Sequence, residues 1–138
     1  MLKKLTLTNN IDEIPRLSEF IELTCEEMGF DMSTTMSINL ALEEAVVNVI
    51  QYAYPNGTEG AVDIDIADDD RQATFTITDS GKPFDPTAKA DVDISLSAEE
   101  RPIGGLGIHL IRQIMDSIQY ERKNNKNILT LKKTNKSF

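Results

Sequence analysis

Residues 38–53 read as a helix that is apolar around most of its circumference, yet Glu44 and Asn48 stand one turn apart on a single face of it. A carboxylate and an amide inside such a helix cost stability unless something partners them. The partner is either foreign (a ligand, a metal ion, ordered water) or internal. In the internal case Glu44 caps a neighbouring backbone and Asn48 is a satisfied core amide. The helix alone leaves both open. Glu43, about 100° round the axis, is expected to be solvated.

The rest of the chain supplies a sheet. Residues 2–7 alternate as a short edge strand. Asn10, Asp12 and Glu13 are helix-start residues, Ile14, Leu17, Ile21 and Met28 follow at helical spacing, and Gly29 ends that helix. Asp31 or Ser33 starts the second helix, which runs to about Tyr54 and stops at Pro55-Asn56-Gly57. Val62, Ile64 and Ile66 alternate with Asp63 and Asp65, residues 68–71 turn, and Phe75 and Ile77 lead back toward Asp79, so this pair reads as an antiparallel hairpin. Between 86 and 103 the periodicity dissolves, a pattern typical of a functional or mobile loop. Leu106, Leu110, Ile114 and Ile118 mark a third helix. Strands at 118–122 and 128–132 close the chain around an Asn124-Asn125-Lys126 turn. The expected class is α+β: a mixed, mostly antiparallel sheet with helices on one face, in one domain spanning 1–138.

Composition narrows the functions. A formal net charge of −9 disfavours nonspecific binding to nucleic acid or to anionic membrane surfaces. No apolar run is long enough to span a bilayer, and the N-terminus does not read as a signal peptide, so the cytoplasm is the expected compartment. Cys25 is the only cysteine, which rules out an internal disulfide and reads as a buried thiol. His109 is the only histidine and is expected to pack or lie at the surface.

Two further signals follow the Glu44-Ala-Val-Val-Asn48 segment in fixed order. Asp79-Ser-Gly81-Lys-Pro-Phe-Asp85 puts a carboxylate at a strand end, where it can accept a hydrogen bond from an exocyclic amine such as that of adenine. Gly81 lets a base or backbone approach closely. The same residues also suit an ordinary Asp-Ser-Gly turn. Gly104-Gly105-Leu106-Gly107 opens a helix whose first amides lack intrahelical partners and can hold phosphate oxygens. A plain loop-to-helix junction fits as well. Asn48 offers a hard oxygen suited to magnesium carrying phosphates, and Glu44 can take a proton from a water or an alcohol. Arg101, before the glycines, can reach a terminal phosphate if the loop closes. An acidic chain that binds ATP needs such local positive potential.

At these residues the sequence resembles the GHKL ATPase superfamily. Glu44 to Asn48 resembles its asparagine box, Asp79 to Asp85 its first glycine box and Gly104 to Gly107 its second. Within it, the small stand-alone anti-sigma factor serine kinases are most similar, through Leu42-Glu43-Glu44-Ala45-Val46-Val47-Asn48 and the stretch from Gly105-Leu106-Gly107-Ile108 to Met115-Asp116. The resemblance implies a two-layer α/β sandwich of the Bergerat type and ATP with magnesium. Glu44 is then the catalytic base on a serine hydroxyl and Asn48 the metal ligand. Asp79, Gly81, Gly104, Gly105, Leu106, Gly107 and Arg101 contact the nucleotide. Here Pro102-Ile103 separates Arg101 from the glycines, whereas the kinases' arginine lies nearer to them. The implied substrate is a small anti-sigma factor antagonist protein, with a sigma factor as alternative partner and a homodimer left open. The competing expectations are a nucleotide-switched binding module without phosphotransfer and a subunit of a larger ATPase.

Overall fold

The computed structural model describes residues 2–55, 57–69, 71–88 and 105–135. Five strands form one sheet: β1 Leu2–Thr8, β2 Ala61–Asp69, β3 Gln72–Asp79, β4 Ser117–Lys123 and β5 Lys126–Thr134, in the order β1-β2-β3-β5-β4. Every described pairing is antiparallel. Three helices, α1 Ile14–Glu27, α2 Met32–Asn48 and α3 Gly105–Ile114, supply the second layer. The expected α+β sandwich with a mostly antiparallel sheet is therefore present.

The sheet's alternation decides which face the helices cover. One row of paired residues runs across all five strands: Leu5, Ile64, Ile77, Leu129 and Tyr120. Ile64, Ile66, Phe75, Ile77, Leu129 and Leu131 are buried, and their sequence neighbours Asp63, Asp65, Thr76 and Thr130 turn to the other face. From the helix layer, Leu17, Ile21 and Cys25 of α1, Ile38, Leu42 and Val46 of α2, and Ile108 and Ile111 of α3 complete one apolar cluster. Each of these aliphatic side chains contributes roughly 1.5–3 kcal/mol by burial.

The helix ends follow from local chemistry. Asn10 accepts a hydrogen bond from Asp12 N at 2.9 Å and starts a short 3-10 turn, Ile11–Glu13, that leads into α1. A Schellman turn closes α1: Phe30 N donates to Cys25 O at 3.1 Å, with Gly29 at φ 84°. Asp31 then caps α2 by accepting from Thr34 N at 2.7 Å. After Asn48 the helix widens into a π-helical turn, Val49–Ala53. The sequence pattern gives Ile118 both to the third helix and to a strand at 118–122; the helix stops at Ile114 and Ile118 lies in β4, as the strand reading has it. Ile118 pairs with Leu131 there, so its apolar spacing serves the sheet.

Candidate functional site

The three sequence signals converge at one end of α2. The polar pair Glu44 and Asn48 faces α3: a Cβ built on Gly107 would stand 2.9 Å from Glu44 Oε2, 3.4 Å from Asn48 Nδ2 and 3.9 Å from Asn48 Oδ1. A residue without a side chain lets the first turn of α3 approach this closely without displacing Glu44. Asn48 is 5% exposed, while Glu44 is half-buried. Gly105 and Leu106 start α3, so the backbone amides of its first turn, which have no intrahelical acceptor, belong to the same region. Gly104 and Arg101 lie outside the described residues, as does most of the 86–103 loop.

Asp79 ends β3 on the core face, 3% exposed. Its Oδ1 accepts from Gly81 N at 2.9 Å and from Asn127 Nδ2 at 2.9 Å. Burial pushes its carboxyl above the ordinary range; those two hydrogen bonds and the Arg122 charge act against that rise. Gly81 sits against the π-helical turn that continues α2, where an added Cβ would meet Ala53 O at 2.3 Å. Lys82 N donates to that same carbonyl at 2.8 Å. Phe84 stacks on Tyr52 with ring centroids 5.1 Å apart. The turn after β3 is thus fastened to the helix that carries Glu44 and Asn48.

Between these pieces lies a mostly apolar pocket. Ala45, Asn48 and Val49 of α2, Ile77 and Asp79 of β3, and Phe84 and Pro86 of the following turn line it, with Ile111, Tyr120, Asn127 and Leu129. Its free volume is ≈ 10 Å³, about the room of one water. Among the described residues no cluster of three or more His, Cys, Asp or Glu side chains could hold a metal. Among the described residues, Asn48 turns an amide toward Gly107 with Glu44 beside it. Such a set suits a hard ion that draws most of its ligands from water and phosphate.

Two features escaped the sequence reading. Asn127 is 4% exposed and makes four hydrogen bonds within this site. A signal for it exists: Asn127, Leu129 and Leu131 share one strand face by period-two spacing, which puts an amide on the core side. Glu43, expected to be solvated, is half-buried between α1 and α2. It accepts from Ser18 Oγ at 2.5 Å and Asn39 Nδ2 at 3.3 Å. The neighbouring helix brings Ser18 across, and Asn39 lies one turn earlier on α2. His109 is half-buried on α3 and Lys82 is exposed.

Comparison with known proteins gives one family. The sequence model of the histidine kinase-like ATPase domain matches residues 7–133. The serine/threonine-protein kinase BtrW of Bordetella bronchiseptica is 28% identical over 95 residues, covering 69% of this chain and 67% of that protein. The serine-protein kinase RsbW of Listeria monocytogenes is 25% identical over 118 residues, covering 78% and 75%. Among solved structures, the RsbU and RsbW domains of a Mycobacterium tuberculosis protein superpose with a TM-score of 0.68 at 16% identity, covering 96% of this chain and 32% of that one. That likeness concerns the fold alone. No described helix is long and apolar enough to cross a membrane. The chain belongs to the histidine kinase-like ATPase domain family.

Proposed function

We propose that this chain is an ATP-dependent protein serine/threonine kinase and anti-sigma regulatory factor, built as one ATPase domain over 1–138. Its substrate is a small anti-sigma factor antagonist protein, and a sigma factor is its alternative partner. The observation that carries this reading is the seating of Gly107 over Glu44 and Asn48. It gathers a candidate base, a hard oxygen ligand and helix N-terminal amides within the reach of one triphosphate. The relatives named as serine kinases support the same reaction.

In this reading Asp79 accepts a hydrogen bond from the adenine amine. The base enters the pocket beside Phe84 and Pro86, which must move outward because the pocket has little free volume. Amides at the start of α3, with Gly104 and Arg101, hold phosphate oxygens. Asn48 holds magnesium, which when bound neutralises charge developing on the phosphates. Glu44 orients the serine hydroxyl and takes its proton as the serine oxygen bonds to the terminal phosphorus and the bond to the ADP oxygen breaks.

The test uses the antagonist captured from the source cell and labelled ATP. Wild type should transfer label that survives acid and is lost in alkali. Glu44→Gln should retain nucleotide affinity and lose transfer by ~10²-fold or more. Acid-labile, alkali-stable label would indicate phosphohistidine and overturn the reading. Nucleotide-dependent capture of the partner with no label at all would favour a binding switch instead.

A further inference from the structure

Asn127 holds together parts of the site that no single element joins. Its Nδ2 donates to Asp79 Oδ1 at 2.9 Å and to Lys82 O at 2.8 Å. Its Oδ1 accepts from Phe84 N at 3.2 Å and from Tyr120 OH at 2.5 Å. The orientation is fixed by chemistry, since a flipped amide would set oxygen against the Asp79 and Lys82 oxygens and nitrogen against the Phe84 N–H. All four hydrogen-bonding positions are filled by protein groups, so Asn127 acts through others rather than on a ligand.

The position is dictated by register. Asp79 pairs with Asn127, and Asn127 with Arg122, across the end of the sheet. Arg122 in turn donates to Gly81 O at 2.9 Å. Among the described residues, the donors to the Asp79 side chain, Gly81 N and Asn127 Nδ2, fall on Oδ1. That leaves Oδ2 as the oxygen that meets a base.

We propose that Asn127 is a positioning residue for base specificity: it fixes Asp79 through Oδ1 and the 82–84 turn through Lys82 O and Phe84 N, and thereby aims Asp79 Oδ2 at the exocyclic amine of adenine. This rests on the nucleotide reading above. Guanine presents a carbonyl oxygen where adenine presents that amine, and a fixed carboxylate repels it. A carboxylate free to swing loses this discrimination, because a site selects by hydrogen bonds only when its groups cannot re-aim.

The test is calorimetry with Mg-ATP, Mg-GTP and Mg-tripolyphosphate, alongside thermal midpoints. Asn127→Asp keeps an acceptor for Phe84 N and Tyr120 OH but turns oxygen toward Asp79 and Lys82 O. It should weaken ATP by ~10-fold or more, the scale of one lost charged hydrogen bond, while GTP and tripolyphosphate change little. Tyr120→Phe, which removes one hydroxyl and leaves the amide in place, should lower the ATP-to-GTP ratio by less. A purely structural role would lower the midpoint and weaken all three ligands together. A folded Asn127→Asp protein with the wild-type ratio overturns the proposal; should that variant not fold, Tyr120→Phe with the wild-type ratio does so. Wild type that binds tripolyphosphate but shows no preference for ATP overturns it as well. Wild type that binds none of the three overturns the nucleotide reading itself.

Discussion

Gly107 faces Glu44 across the α2–α3 interface, so closely that a Cβ on the glycine would stand 2.9 Å from Oε2. The crowded atom is the far end of a flexible side chain. Gly107→Ala should therefore displace Glu44 more readily than it unpacks the helices. The expected result is a stability loss at or below the ~1–3 kcal/mol typical of overpacking, with phosphotransfer falling by a larger factor. Thermal melting beside a transfer assay separates the two. Unchanged transfer would show that Glu44 is not the group displaced.

The adjacent glutamates should divide their roles. Glu43→Gln weakens the Ser18 and Asn39 contacts between α1 and α2. It should cost about 0.5–1.5 kcal/mol and leave transfer intact. Glu44→Gln should do the reverse. Urea melts with single-turnover transfer on both variants test this, and a transfer defect in the Glu43 variant equal to that of Glu44 would contradict the assignment.

Asp79 predicts a pH dependence with a definite sign. Burial raises its carboxyl above the ordinary value of 3.8, so the native state holds that proton more tightly than the unfolded chain. Its contribution to stability is present in full below the unfolded value and is lost as pH rises through the native one. Asp79→Asn keeps an oxygen for Gly81 N and Asn127 Nδ2 and removes this loss. Without nucleotide, the variant should gain on wild type as pH rises from 4 toward neutrality, roughly the range from the unfolded value upward. With Mg-ATP it should show a smaller stabilising shift than wild type. A pH-independent difference in midpoint would refute the ionisation argument.

Cys25 lies fully buried in the core, and burial pushes its thiol up to about 12 from 9.0. An aromatic disulfide reagent should label the native protein only as fast as it opens, because the thiolate is the reactive form. Above the unfolded value the unfolded chain ionises and the native one does not, so stability should decline progressively in alkali. Burst labelling at neutral pH would mean that α1 is not seated as described.

Much of the fold was legible because its periodicities are local. The alternation through Ile64 and Ile66, the caps at Asn10 and Asp31 and the glycine at 29 each announce an element from a few residues. Ile118 was legible as the start of a strand, but an apolar residue four after Ile114 also satisfies a helix, so the end of the third helix was not. At the site, Glu44, Asn48, Asp79 and the glycines stood out as residue types that fit poorly in a core without partners. Asn127 did not, since its meaning depends on which strand lies beside it, and pairing Asp79 with Asn127 spans 48 residues. Glu43 failed for the same reason: Ser18 comes from another helix.

The π-helical turn Val49–Ala53 has a mechanical consequence. A π turn accommodates one more residue than an α turn and so resets the angular phase of everything after it. Here that phase points Ala53 O at Lys82 N and brings Tyr52 onto Phe84. The turn after β3, proposed above to meet the base, and the Asn48 end of α2 therefore behave as one casting whose two sockets keep a set spacing. Deleting a single residue from 49–53 would rotate the far socket by about 100° and leave each half intact but misaligned. Such a protein should still fold and still bind tripolyphosphate, yet lose the extra affinity that comes from engaging base and phosphates on one frame.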